Sequence, residues 1–144
     1  MRIVLAKNKT PELGRFGKRE WALVNPEHFG KEINWGYAKK KEFRFVAKEG
    51  EKILGVLSGH YLLGVMYIGA LIVSHLERRR GVGIKLIRYA ENYARKHNLH
   101  LIYLEAGADW QAVKFYRSLG YKSVFRFRKF FGKKDFLFFV KYLK

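Results

Sequence analysis

Val73-Ser-His-Leu-Glu-Arg78-Arg-Arg-Gly81-Val-Gly83-Ile-Lys-Leu86 carries the strongest structural signal in this chain. An apolar run ends at Val73, a basic loop with two close glycines follows, and amphipathic spacing begins at Gly83. A strand, a loop and a helix in that order leave the first N–H groups of the helix without intrahelical partners, beside the positive end of its dipole. Glycines let those groups approach an anion without interference from a Cβ, and three arginines add charge and donors. The stretch therefore predicts a pyrophosphate-sized anion at residues 79–84. A dinucleotide-binding fingerprint would need a third glycine near position 86, where Leu86 stands, and a Walker P-loop would close in Gly-Lys-Ser/Thr, which this loop lacks. What remains is Arg-x-x-Gly-x-Gly, formed by Arg78, Gly81 and Gly83.

Upstream of this segment the pattern is that of strands. Phe43, Phe45 and Ala47 alternate with Arg44, Val46 and Lys48, and Lys48-Glu49-Gly50-Glu51 reads as a turn. Ile53 to Leu63 and Val65 to Val73 follow as two longer strands, giving an antiparallel meander of three. Further towards the N-terminus, residues 1–7 read as a short strand and residues 11–20 as a loop containing Gly14 and Gly17. Asn25-Pro26 reads as a helix start, with a helix running through Gly30–Gly36 towards Lys40.

Downstream, Ile84, Ile87, Ala90 and Ala94 make one stripe of a helix, flanked by Leu86 and Tyr93, with a Glu91–Arg95 pair on the outer face. Residues 99–105 are a short strand. Asp109 can cap a second helix whose face is Ala112, Val113, Tyr116 and Leu119, with Gly120 as its stop. The tail is a hairpin in which Phe125 and Phe127 alternate with Arg126 and Arg128 before a turn at Gly132-Lys133-Lys134-Asp135. Period-two alternation there predicts phenylalanines towards the core and arginines towards water. A meander, then strand–helix–strand–helix, then a hairpin describes an α/β (α+β) layered domain covering residues 1–144.

The segment and its surroundings resemble the acetyl-CoA-binding region of the GNAT family of N-acetyltransferases. That motif is Gln/Arg-x-x-Gly-x-Gly/Ala, preceded by a strand whose last apolar residue lies five positions before the Arg, the place Val73 fills. Family members then show a strand, here Leu101-Ile-Tyr-Leu-Glu105. Next comes Asn-x-x-Ala-x-x-Phe/Leu-Tyr, here Asp109-Trp-Gln-Ala112-Val-Lys-Phe115-Tyr116, and a closing Gly-Phe/Tyr, here Gly120-Tyr121. The resemblance covers residues 65–121. It implies a central mixed, mostly antiparallel sheet flanked by helices, with strands splayed at the acetyl-CoA site.

It also implies roles. Backbone groups of Leu71, Ile72 and Val73 would pair with the pantetheine arm of acetyl-CoA, and the loop and helix start formed by Arg78, Arg79, Arg80, Gly81, Val82, Gly83 and Ile84 would hold its pyrophosphate. Asp109 stands where the family has Asn; a carboxylate accepts but cannot donate, so it is either a pantetheine contact or simply a helix cap. Tyr116 matches the tyrosine that protonates the departing thiolate, and otherwise is a core residue. Glu105, in Leu104-Glu105-Ala106, resembles the Leu-Glu-Val of the ribosomal-protein and protein N-terminal acetyltransferases and is the candidate general base, or else a strand-end carboxylate paired with an arginine. No carboxylate lies between Lys52 and Leu76, where many relatives carry a Glu, so His60, His75 and Glu77 are the weaker base candidates. A backbone N–H near Ile72 or Val73 would stabilise the oxyanion. The activity implied is transfer of an acetyl group from acetyl-CoA to a primary amine by direct attack, with no metal, on a small-molecule, peptide or protein N-terminal acceptor. Residues 10–40 and 57–68 would build the acceptor cleft.

Composition sets the remaining bounds. With no cysteine, disulfide frameworks, thiol nucleophiles and Cys-based zinc sites are excluded. The N-terminal apolar run is too short for a signal peptide, and the longest apolar stretch, Tyr61 to Val73, is broken by Gly64 and Gly69, so a cytoplasmic protein without a membrane span is expected. Lys+Arg number 30 against 12 Asp+Glu, so the net charge is 30 − 12 = +18, a field that attracts polyanions. Two other readings follow. A basic nucleic-acid-binding domain could use the tail, where residues 121–144 hold nine aromatics and eight Lys/Arg. A GNAT-fold protein could also bind acyl-CoA without catalysis. The hairpin edge at residues 124–142 is where a homodimer would form in place of a monomer.

Overall fold

Apolar alternation from Lys41 onward becomes one six-stranded sheet. A computed structural model describes residues 1–30 and 38–144, and the chain divides into two units, residues 1–39 and residues 40–144.

In the first unit, residues 1–7 form no strand, and Pro11–Phe29 is a single helix, α1. Its start is set by Thr10, whose hydroxyl accepts the Leu13 N–H at 3.3 Å, and by Pro11 at the first helical position. The stretch read as a loop is therefore helical, because the Thr-Pro start outweighs Gly14 and Gly17. Pro26 lies inside this helix rather than at the head of another, and Gly30, at φ 72°, closes it. The helix expected over Gly30–Gly36 falls largely outside the described residues.

In the second unit, strands β1 (Lys41–Glu49), β2 (Lys52–Leu62) and β3 (Val65–Val73) form the expected meander. A short 3-10 turn, His75–Glu77, leads to helix α2 (Val82–Lys96), then β4 (Leu101–Gly107), α3 (Ala112–Ser118), β5 (Lys122–Phe127) and β6 (Phe136–Tyr142). The order across the sheet is β1-β2-β3-β4-β6-β5. Only β3 and β4 run parallel, which is the geometry a helical crossover permits.

The core is an apolar layer between this sheet and its helices. Leu57, Met66, Ile102, Leu104 and Phe139 from the strands meet Leu86, Ile87, Ala90 and Ala94 from α2, all buried. The buried stripe of α2 also takes in Val82, whereas Ile84 is exposed, so the stripe lies slightly off the one expected. Glu91 belongs to it too. Rather than pairing with Arg95, its buried carboxylate takes Arg88 at 3.0 Å and Lys141 at 2.8 Å, and Arg95 turns to Asn92. Lys141 also donates to the Leu119 carbonyl at 2.8 Å, so this buried carboxylate ties α2 to β6 and to the end of α3.

Candidate active site

The site begins where two strands part. β3 and β4 pair only over Val65–Tyr67 and Leu101–Tyr103. Beyond Tyr67, β3 stays bonded to β2 on one side, with Ile72 opposite Val56 and Val73 opposite Gly55. β4 continues against β6, with Glu105 opposite Phe138. The cause of the parting is local. Ser58 faces Ala70 but Gly59 faces Ile68, so Gly69 is an extra residue in β3, and such a bulge bends the strand that carries it. Residues 68–73 therefore present an unpaired backbone edge, and Leu71, Ile72 and Val73 lie along it.

The loop after β3 brings a helix start to the same end of the sheet. Gly81 takes up the left-handed conformation at φ 76° as the N-cap of α2, a position that costs about 1–2 kcal/mol for a residue with a Cβ. No side chain caps this helix, so the first N–H groups of α2, at Val82, Gly83 and Ile84, keep their donors outward. A Cβ on Gly83 would stand 3.3 Å from the Phe115 ring and 3.7 Å from a Val73 methyl, so the helix start, β3 and α3 close tightly on one another there. The three arginines differ. The Arg80 guanidinium is held by Glu77 and, at 3.1 Å, by Glu49, whereas Arg78 and Arg79 make no ion pair among the described residues. Glu77 is buried and bonded by both Lys52 and Arg80, which hold its carboxyl below the usual carboxylate range, so it is committed to fixing the loop.

Glu105 lies two residues past the last β3–β4 pair. Its partner is not an arginine: one carboxylate oxygen accepts from the Tyr67 hydroxyl, and the other is buried without a hydrogen-bond partner. Tyr67 stacks on Tyr103 with ring centroids 4.8 Å apart and faces His60 at 5.2 Å. Burial and the hydrogen bond to Glu105 push the Tyr67 phenol well above its ordinary value, and burial followed by the Glu105 charge raises Tyr103 as well. Tyr116 is buried on α3, its ring 5.9 Å from both Tyr121 and Phe139. Burial first and the Glu105 charge second push its phenol up to about 12. A single carboxylate thus acts on three tyrosines. Composition alone did not mark Tyr67 and Tyr103; the signal available was period-two spacing from Glu105 on one strand and parallel pairing with the other.

Of the remaining sequence candidates, His60 and Tyr67 line an open cavity of about 430 Å³ with Ser58, Gly59, Glu42 and Arg44. His75 is exposed in the 3-10 turn. Asp109 does not cap α3. The chain turns first, with the Trp110 N–H bonded to the Gly107 carbonyl at 3.0 Å, and the helix is capped at Gln111, leaving Asp109 exposed in the turn. Among the described residues no cluster of metal-ligating side chains occurs, and no helix is long and apolar enough to cross a membrane.

Comparisons with known proteins bear on the family and the fold. The family model for the acetyltransferase (GNAT) family matches residues 12–121. No curated protein matches the sequence significantly. Among solved structures, an acetyltransferase from Bacillus cereus is 26% identical with a TM-score of 0.74, over 97% of this chain and 98% of that one. The ribosomal-protein-S18-alanine N-acetyltransferase from Escherichia coli shares the fold at 18% identity and a TM-score of 0.68, over 72% of this chain and 70% of that one. A Bacillus anthracis protein described as a streptothricin acetyltransferase, solved with acetyl coenzyme A, does so at 20% identity and a TM-score of 0.67, over 72% of this chain and 64% of that one.

Proposed function

This chain belongs to the acetyltransferase (GNAT) family, whose members use acetyl-CoA, and we propose that it acetylates a primary amine by direct attack within a ternary complex. The observation that carries this reading is the parting of β3 from β4 immediately before Glu105, beside an uncapped helix start. An open strand edge at Leu71, Ile72 and Val73 suits the amide-bearing pantetheine arm, which would add to β3 as a further strand does. The outward N–H groups at the start of α2 suit the pyrophosphate. Arg78 and Arg79 are the side chains available to its charge, and Arg80 would contribute its backbone while its side chain holds the loop. Asp109, exposed after β4, can only accept a hydrogen bond from the arm.

The chemistry then divides between two ionisable groups. Deprotonating a lysine amine at pH 7 costs about 4.6 kcal/mol, and an α-amine about 1.4 kcal/mol. The unpartnered oxygen of Glu105 receives the amine proton, directly or through a water, while Tyr67 holds the other oxygen and fixes the carboxylate in place. The amine lone pair forms the C–N bond at the thioester carbonyl, and a backbone N–H near Ile72 or Val73 takes the oxyanion. The C–S bond breaks as the thiolate accepts the Tyr116 proton. Burial that raises the phenol also raises the proton affinity of a thiolate formed beside it, so the two remain matched. The small cost of an α-amine favours a peptide or protein N-terminus as acceptor, entering by the cavity that Tyr67 and His60 line.

Release of free CoA across a panel of amines tests the proposal. Peptides with a free N-terminus should turn over faster than the same peptides blocked at the terminus and carrying only lysine. Acetyl-CoA that fails to bind below millimolar concentration would overturn the site, and binding without turnover of any amine would leave an acyl-CoA-binding protein instead.

A further inference from the structure

The β5–β6 hairpin does something the acetyl-transfer site does not need. Residues 122–129 are exposed throughout, Phe125 to 54% and Phe127 to 40%, and Phe131 in the turn is 58% exposed. The alternation of Phe with Arg therefore does not turn the phenylalanines into the core, which corrects the expectation from sequence. The reason is position. β5 is the last strand of the sheet, and the register sets Phe125 opposite Phe138 and Phe127 opposite Phe136, so the rings form one row on one face. The row is preorganised: Phe127 stacks on Phe130 at 4.8 Å and meets Phe125 edge-on at 4.6 Å.

The same hairpin carries Lys122, Arg126, Arg128, Lys129, Lys133 and Lys134. Arg126, opposite Leu137, alternates with the rings onto the other face of the strand, and Lys129, Lys133 and Lys134 follow at the turn that carries Phe130 and Phe131. Asp135 is the one carboxylate of the hairpin, and it is taken up by Arg126 at 2.8 Å and by the Lys129 backbone N–H at 3.1 Å. Lys141 on β6 is held by Glu91 at 2.8 Å, whereas Lys122, Arg128, Lys129, Lys133 and Lys134 make no ion pair among the described residues. A second copy of this chain would bring the same positive patch, so like-charge repulsion opposes pairing of two hairpins, although the outer edge of β5 is open. A polyanion that also carries flat apolar faces complements both features. Sheet aromatics that stack unpaired bases, ringed by cations that follow the phosphates, are how single-stranded RNA is held; duplex bases are already stacked and cannot use the rings.

We propose that the exposed face of the β5–β6 hairpin is a docking surface for single-stranded RNA, independent of the acetyl-CoA site. Fluorescence anisotropy with a labelled 12-nucleotide oligouridine tests it on the full chain at about 0.1 M salt, alongside a DNA duplex of equal length and phosphatidylserine vesicles. The double variant Phe125→Ala/Phe127→Ala removes no charge and no buried side chain. It should weaken oligouridine binding at least about tenfold, leave duplex binding and the salt slope unchanged, and leave acetyl-CoA binding intact. The variant Arg128→Ala/Lys129→Ala should weaken both nucleic acids and flatten the slope. Equal oligouridine affinity of the phenylalanine variant and the parent would overturn the proposal. Tighter binding to duplex or vesicles than to oligouridine would overturn it too, as would a stable dimer that the phenylalanine substitutions dissociate.

Discussion

Tyr116 and Glu105 sit on different elements, yet burial first and the charge of Glu105 second raise the Tyr116 phenol, and that shift has measurable consequences. Tyr116→Phe removes only the hydroxyl from a buried ring. It should lower kcat by about a hundredfold or more, as loss of a general acid does, while acetyl-CoA affinity stays unchanged. Unchanged turnover would remove Tyr116 from the reaction. The pH profile is a second readout. As the proposed general acid, Tyr116 would act in its protonated form, and its phenol is pushed up to about 12, so that form persists to higher pH than an ordinary tyrosine allows. Activity should therefore rise as the amine deprotonates and show no alkaline fall near pH 10, where an unshifted tyrosine would have lost about half. Glu105→Gln retains an acceptor for Tyr67 but no base. It should cut kcat/KM at pH 7 by about a hundredfold and recover as the pH approaches the pKa of the free amine, because the neutral nucleophile then forms without a base. A loss that is the same at every pH would assign Glu105 to packing instead.

At the scale of elements, α2 is fastened at its start and at its middle by features with different sensitivities. Its start depends on Gly81 and Gly83. Gly83→Trp would drive a ring into Phe115 and into the space before the helix start, and calorimetry should find acetyl-CoA binding abolished. Its middle depends on Glu91. Glu91→Gln leaves the Lys141 ammonium, with a side chain only 18% exposed, facing the Leu119 carbonyl without its counter-charge. Breaking a buried pair in this way should cost about 3 kcal/mol, or roughly 10 °C in Tm, while acetyl-CoA affinity measured well below the transition is retained. These two cases also mark what sequence can carry. The strand–loop–helix at residues 73–86 was legible because its signals are local: an apolar run, two glycines, then a period of three and four. The burial of Glu91 is not legible in the same way, because one of its two partners, Lys141, lies fifty residues away on β6, and nothing near Glu91 announces it. The bulge at Gly69 and the Tyr67–Glu105 bond escaped for the same reason, since both arise from register between strands. α1 is a different kind of miss. Its Thr10-Pro11 start is a local signal, and in the structure that start prevails over Gly14 and Gly17.

For the whole molecule, the net charge of +18 is a long-range property and should be read in rates rather than in contacts. Local accounting absorbs little of it. Arg80, Lys52, Arg88 and Lys141 are committed to buried carboxylates, and Arg126 to Asp135. Arg78, Arg79 and most surface lysines keep their fields. An anionic cosubstrate approaching this surface is accelerated only within about a Debye length, which shrinks from roughly 30 Å at 0.01 M salt to 8 Å at 0.15 M. Stopped-flow association of acetyl-CoA should therefore slow by at least about tenfold across that range, while the dissociation rate changes far less. The same field repels a strongly cationic acceptor, so an acidic peptide should show a lower KM than a basic one of equal length, and the difference should shrink with added salt. A flat association rate across the salt series would separate the charge from acetyl transfer altogether. Its remaining assignment would then be the hairpin, where cations and exposed rings occur together.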